Sequence, residues 1–273
     1  MSLLEAIVLG IVQGLTEFLP ISSTGHLRVI PALAGWEDPG SAFTAVVQLG
    51  TTAAVLIYFR RDLWRIARAW VDSVRTRGRR RDLDARLGWF IVLGTIPIAV
   101  FGLIFKDEIE TSARDLYLIG TVLIVFGLIM LAADRLAPQR DEIEDLDARH
   151  GLFVGFAQAL ALVPGVSRSG ATITAGLIAG LNREAAARYS FLLSTPAIVA
   201  SAAFEMRKFV RGEEVGAGAG DVIVAVIFAF IVGYASIAFL LRWVANNSLA
   251  IFVWYRVALG ALVIALAAAG TIS

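Results

Sequence analysis

Side chains that could do chemistry cluster in two short stretches of an otherwise apolar sequence. The first stretch carries Gln13 and Glu17, then residues 22–25 (Ser-Ser-Thr-Gly) and His26. Gln13 and Glu17 are four residues apart and therefore share one helix face. A carboxylate, a hydroxyl and an imidazole at this spacing could supply a nucleophile and its general base.

The second stretch is built around an arginine. Arg168 lies between Ser167 and Ser169, directly after a Pro-Gly turn, and Thr172 follows. A Gly/Ser-rich turn that opens a helix presents free N–H groups and the positive end of the helix dipole, which suits a phosphate. The planar guanidinium matches phosphate oxygens. We expect the two turns to face each other and to form a clamp for an oxyanion.

Two short apolar segments must position these side chains. They cover residues 6–19 and 151–163, and each is too short to cross a bilayer, which takes about 20 residues. Each is followed by a proline, Pro20 or Pro164, that breaks the helix. Non-helical backbone at membrane depth is tolerated only where protein buries it or where it lines a wet cavity. We therefore predict two re-entrant helical hairpins.

The rest of the chain consists of apolar runs of membrane length. Of 273 residues, 58% are apolar and 17% are charged, against about 25% charged in soluble domains. The runs cover residues 41–59, 87–105, 116–133, 189–204 (extended backward through 185), 222–241 and 248–272. The sequence therefore predicts an all-α integral membrane protein with about six transmembrane helices. The net charge of +1 argues against nucleic acid as a partner, and the lack of cysteine excludes thiol chemistry.

The two hairpin segments resemble each other at an offset of 145 residues. The identities pair residues 10 with 155, 13 with 158, 15 with 160, 22 with 167 and 25 with 170. We predict one polytopic membrane domain over residues 1–273, made of pseudo-repeat halves at about 1–133 and 150–273. Three spans in each half would place the second half upside down, which is the inverted-repeat arrangement found in many transporters.

Arginine distribution predicts the orientation of the chain. Residues 60–86 hold ten arginines and four aspartates, including Arg79, Arg80 and Arg81. The positive-inside rule places this segment in the cytoplasm and leaves the first hairpin entering from outside. The opposite side carries few basic residues, namely Lys106, Arg114, Arg207, Lys208 and Arg211.

Both chemical stretches match signatures of a known family. The run from Gln13 to His26 and the run from Pro164 to Thr172 resemble the two signatures of the bacitracin-resistance family of undecaprenyl-pyrophosphate phosphatases. The resemblance implies hydrolysis of a polyprenyl pyrophosphate lipid to the monophosphate that is used again in cell-wall synthesis. Carried over residue by residue, the implied catalytic set is Glu17, Ser23, His26 and Arg168. The implied substrate-binding set is Gln13, Ser22, Thr24, Ser167, Ser169 and Thr172.

The resemblance also implies a cofactor and a location. It implies stimulation by a divalent cation, Mg²⁺ or Ca²⁺, held jointly by Glu17 and the pyrophosphate. Gln13 stands where the family accepts Glu or Gln, so Glu17 is the only carboxylate on its helix face. The implied location is the bacterial cytoplasmic (inner) membrane, with the active site facing the periplasm. The bilayer is the expected surrounding, and a homodimer is left open.

The residues leave two mechanisms and a second class of function open. Ser23 could attack phosphorus with His26 as its base, or His26 could itself attack or activate water. A polyprenyl-phosphate transporter or flippase would also need a phosphate clamp, but it would need no nucleophile. Ser23 and His26 therefore favour an enzyme. Arg256, inside the last apolar run, is expected to serve helix packing or an ion pair.

Overall fold

The chain is α-helical, as its sequence predicts. The computed structural model describes residues 1–38, 40–76, 82–105, 108, 115–210 and 218–272, with the backbone alone for residues 41 and 204–210. The helices are α1 (Leu3–Phe18), α2 (Ser23–Ala34), α3 (Gly40–Tyr58), α4 (Arg60–Arg75), α5 (Leu83–Ile104), α6 (Leu116–Leu136), α7 (Ala148–Ala159), α8 (Arg168–Ile178), α9 (Arg183–Val210), α10 (Ala219–Val244) and α11 (Ala250–Ala268). Two 3-10 turns, Ile143–Asp145 and Leu160–Leu162, flank α7.

Several of these helices are long and apolar enough to cross a membrane. Within the described residues, α5, α6, α10 and α11 meet this condition singly, and α3 with α4 forms one further candidate that is bent by 74°. The sixth predicted span, which falls in α9, stays a prediction. Of the basic residues used to predict orientation, Arg79, Arg80, Arg81, Lys106, Arg114 and Arg211 lie outside the described residues, and Arg207 and Lys208 are described by backbone alone.

Helix–turn–helix hairpins form at both predicted places, and their turns have the same backbone geometry. α1 and α2 meet at Ser22, and α7, extended by its 3-10 turn, meets α8 at Ser167. These two serines have φ angles of 75° and 72°, in the left-handed region that non-glycine residues rarely occupy. Each serine hydroxyl accepts a hydrogen bond from the backbone N–H three residues ahead, which caps the second helix of its hairpin.

The hairpins pack reciprocally, each against a long helix of the other half of the chain. α1 packs most extensively on α10, where a Cβ on Gly10 would lie 2.4 Å from the carbonyl oxygen of Ala225. α7 packs on α5 in the same way, and a Cβ on Gly155 would lie 2.4 Å from Gly94 Cα. This reciprocal packing agrees with a chain made of two related halves, while the inverted orientation of the halves stays a prediction.

Arg256 holds the two hairpin turns together from α11. Its side chain is almost fully buried, with the residue 1% exposed. Nη1 donates to the carbonyl oxygens of Pro20 (3.1 Å) and Val166 (3.0 Å), and Nη2 donates to that of Gly165 (2.9 Å). The expected packing role therefore takes the form of hydrogen bonds to backbone carbonyls of both turns, without an acidic partner among the described residues.

We expect Arg256→Met to destabilise the protein. The change removes a donor from four buried carbonyl groups, those of Leu123, Pro20, Val166 and Gly165, and a buried carbonyl left unsatisfied costs about 1–3 kcal/mol. Unfolding of the purified variant in detergent measures the loss, and Arg242→Met, which changes an exposed arginine, is the matched control. Equal stabilities for the two variants would contradict this role.

Candidate active site

The carboxylate of Glu17 joins the two hairpins. Glu17 lies in the last turn of α1, and its side chain is only 6% exposed. Oε1 forms an ion pair with Nη2 of Arg168, the first residue of α8. Oε2 accepts a hydrogen bond from Ser23 Oγ at 2.8 Å, across the turn of the first hairpin. Because a buried charge needs a partner, the Arg168 guanidinium offsets the cost of placing this carboxylate in the protein interior.

Two amides complete the surroundings of this carboxylate. Gln13 Nε2 donates to Oε2 at 3.1 Å, which confirms the predicted shared helix face. Gln48 Nε2, from α3, lies at a longer 3.4 Å from Oε1. Gln48 was not among the predicted site residues, although an amide in an otherwise apolar span is itself a signal. Together with Arg168 and Ser23, these amides give the carboxylate four donors, which fix its orientation.

A cavity of about 650 Å³ opens beside Glu17. Its polar end is lined by Gln13, Glu17, Ser23, Thr24, Gln48, Ser167 and Arg168. The walls away from this end come mainly from α5, α9 and the 3-10 turn of the second hairpin, and include Ile98, Ala99, Gly102, Leu103, Ala161, Leu162, Ala197 and Ala200. The cavity is thus amphipathic, with a charged, hydroxyl-rich end and an apolar body.

Two helix N-termini meet at the polar end. α2 begins with Ser23 and α8 begins with Arg168, and both residues line the cavity. The serine caps bind the third amide of each helix, so the first two amides of each have no acceptor within their own helix. These amides and the two positive dipole ends form an anion-binding arrangement at the place where Arg168 adds a full charge.

Three of the predicted substrate-binding residues lie behind this surface. Ser22, Ser169 and Thr172 are buried and are not among the residues that line the cavity. The Ser22 hydroxyl caps α2, Ser169 Oγ donates to the Leu19 carbonyl at 3.2 Å, and Thr172 Oγ1 donates to the Arg168 carbonyl at 2.7 Å. They shape the turns, while Gln13, Thr24 and Ser167 are placed where a substrate could reach them.

His26 is turned away from the cavity. It is 3% exposed, its Nδ1 lies 2.7 Å from the Ser22 carbonyl oxygen, and its Nε2 lies 2.7 Å from the Tyr255 hydroxyl. Since a carbonyl only accepts, Nδ1 carries the proton, and in a neutral ring Nε2 accepts from Tyr255. A base or nucleophile role for His26 therefore requires its ring to leave Tyr255. Its catalytic role stays a prediction.

The polar end fits a divalent cation only in part. Glu17 already accepts from four donors, and the described residues hold no group of three or more His or acidic side chains that could bind a metal. One acceptor is free, because the buried Oε1 of Gln13 has no hydrogen-bond partner. An amide oxygen is a suitable ligand for Mg²⁺ or Ca²⁺. The arrangement fits a cation that a pyrophosphate carries in and that Gln13 helps to hold.

Known proteins share this chain's sequence along almost its whole length. The family model described as bacitracin resistance protein BacA matches residues 6–262. An undecaprenyl-diphosphatase of Nocardioides sp. is 54% identical over 99% of this chain and 98% of its own length. An undecaprenyl-diphosphatase of Thermobifida fusca is 52% identical over 100% of this chain and 93% of its own length. The chain belongs to the bacitracin resistance protein BacA family.

Proposed function

We propose that this protein hydrolyses undecaprenyl pyrophosphate to undecaprenyl phosphate and inorganic phosphate. The observation that carries the proposal is the Ser23 hydroxyl, which donates to Glu17 while Arg168 pairs with the same carboxylate. The nucleophilic hydroxyl of Ser23, the Glu17 carboxylate that accepts its proton and the Arg168 guanidinium that binds phosphate thus lie together at the polar end of the cavity. The names of the full-length relatives support the same activity. Recycling of the carrier lipid would then confer bacitracin resistance.

The shape of the cavity supports a lipid pyrophosphate as the substrate. The diphosphate would lie at the polar end, against Arg168 and the first amides of α2 and α8. The first isoprene units would lie along the apolar body between α5 and α9, where small residues such as Ala99 and Ala200 leave room. A soluble phosphate ester would leave that body unfilled.

The chemistry follows from the contacts of Ser23. Its Oγ forms a bond to the terminal phosphorus, the bond from that phosphorus to the bridging oxygen breaks, and the polyprenyl monophosphate leaves. Glu17 takes the hydroxyl proton along the existing hydrogen bond. Water then attacks the phosphoserine and releases inorganic phosphate, and the proton returns to Ser23. One Arg168 N–H group binds Glu17, and the others neutralise the charge on the transferred phosphoryl group.

A divalent cation would lower the charge of the bound pyrophosphate. Gln13 Oε1, with Glu17 beside it, is the protein group that would hold it. The reaction steps above are carried by side chains of this chain and do not depend on the identity of the cation.

The sidedness of the cavity supports an active site that faces the periplasm. Its walls use the C-terminal part of α5, at Thr95–Leu103, the middle of α9, at Ala197–Ser201, and the N-terminal half of α3, at Thr44 and Gln48. The cavity-lining parts of α3 and α5 are the ends of these helices that lie away from residues 60–76 and 82–86, and the positive-inside rule assigns this arginine-rich stretch of sequence to the cytoplasm. We therefore propose that the protein lies in the inner membrane with its cavity open to the outer side. A transporter would not need the hydrogen bond between Ser23 and Glu17.

The first test asks whether Ser23 acts through Glu17. We expect Ser23→Ala and Glu17→Gln each to lower kcat by at least about 10²-fold, because the first variant lacks the nucleophile and the second lacks the proton acceptor. The double variant should be no slower than the worse single variant, since residues that act as a unit are not additive. Phosphate release from farnesyl pyrophosphate in detergent measures all three. Ser201→Ala, which removes a cavity hydroxyl without a bond to Glu17, is the control.

Two results would contradict this assignment. Losses that multiply in the double variant would mean that the two residues act independently. A Ser23→Ala enzyme within about tenfold of the unchanged protein would mean that the hydroxyl supplies only one hydrogen bond.

The second test concerns the charge on Arg168. Arg168→Ala should lower the kcat of the folded protein by about 10³-fold or more, because the transferred phosphoryl group loses its neutralising cation. Arg168→Lys should restore little, since an ammonium lacks the planar fork. Turnover is measured on monodisperse protein from size-exclusion chromatography. Full recovery in the lysine variant would show that a point charge is sufficient.

A further inference from the structure

α4 departs from the direction of the helix before it and presents a surface that the protein does not cover. It is bent by 74° from α3, the helix that contains the apolar run 41–59 predicted to span the membrane, and it starts two residues after α3 ends. A helix that turns this far at the end of a span runs close to the membrane plane. None of the residues of α4 lines the substrate cavity.

One face of α4 is fixed to the protein body. Ile66 and Ser73 are buried there, at 4% and 0% exposed. Trp89 Nε1 of α5 donates to Ser73 Oγ at 3.1 Å, and Arg65 Nε forms an ion pair with Asp84 at 2.7 Å. These contacts orient the helix, so the direction of its other faces is determined.

An adjacent face of α4 is apolar and exposed. Trp64 and Val71 form one row and Ala67 and Val74 the next, because residues seven apart lie almost in line on a helix. All four are exposed, and Trp64 is 71% exposed. Large exposed apolar side chains in a continuous stripe indicate an interaction surface.

A row of arginines borders this stripe. Arg61, Arg68 and Arg75 recur every seven residues and are all exposed. Within the described residues, no acidic side chain lies within ion-pair distance of them. An apolar stripe beside a row of cations matches the boundary between acyl chains and anionic headgroups. Arginine side chains reach the lipid phosphates there, and tryptophan side chains lie at the interface.

We propose that α4 is a lipid-binding helix that inserts its Trp64–Val74 stripe at the bilayer interface and binds anionic phospholipid headgroups through Arg61, Arg68 and Arg75. Charge complementarity with anionic headgroups favours lipid over a second protein as the partner of this surface. Because α4 follows α3 directly, the stripe lies at the level where α3 leaves the membrane. The site is separate from the substrate cavity and would fasten the cytoplasmic ends of α3 and α5 to the membrane.

The apolar half of the proposal is tested by the fluorescence of Trp64. The full chain and its Trp64→Phe variant are placed in nanodiscs of phosphatidylcholine, and the difference between them isolates Trp64. We expect this difference signal to be quenched by lipids brominated near the headgroup and to be insensitive to aqueous iodide. Quenching by iodide alone would overturn the proposal, and so would a signal that neither agent reaches, as expected beneath a second copy or another protein.

The charged half is tested by lipid titration. Delipidated protein in detergent is titrated with phosphatidylglycerol or phosphatidylcholine, and bound lipid is counted by native mass spectrometry. We expect Arg61→Gln/Arg68→Gln/Arg75→Gln to weaken phosphatidylglycerol binding by about fivefold or more and to leave phosphatidylcholine binding unchanged. A matched triple change to Gln of exposed arginines elsewhere, at Arg135, Arg140 and Arg149, is the control. Equal weakening in both triple variants would overturn the proposal.

Discussion

The ion pair between Glu17 and Arg168 is the interaction on which the site depends. The two residues are 151 positions apart and belong to different hairpins, so their contact brings both turns to one point. A lone buried carboxylate would be costly at this depth, and so would a lone guanidinium. Each therefore needs the other. In the mechanism that we propose, this carboxylate accepts the proton of Ser23, and the N–H groups of Arg168 that do not bind Glu17 bind phosphate.

The backbone around this pair is held in an unfavourable conformation by contacts that converge from outside the site. Ser22 and Ser167 keep positive φ angles, which aim the first residues of α2 and α8 into the cavity. Arg256 supplies donors to carbonyls of both turns, and His26 bonds the carbonyl of the first strained serine. The second turn has the same φ without a histidine at the matching position, so His26 is not needed for the bend itself.

The local features of the fold could be predicted from sequence, while most contacts between distant segments could not. Apolar runs specify the helices, and the two prolines with the Gly/Ser turns specify where the hairpins bend; the helices and the two bends are confirmed, while six spans and the re-entry of the hairpins into the membrane stay predictions. The spacing of Gln13 and Glu17 also specified their shared face. The roles of Gln48, Tyr255 and Arg256 depend on how helices far apart in sequence pack, and no short-range pattern encodes that. The inverted orientation of the halves remains a prediction that the reciprocal packing supports.

The most direct measurement of the central claim is the identity of the group that receives the phosphoryl. Farnesyl pyrophosphate radiolabelled in its terminal phosphate is mixed with the protein and stopped within one turnover, one sample in acid and a second in alkaline detergent, which preserves phosphohistidine. The labelled peptide of each sample is then sequenced. The account predicts acid-stable label on Ser23, because the hydroxyl held by Glu17 attacks the phosphorus. Acid-labile label on His26, or steady turnover with no label on the protein, would contradict it.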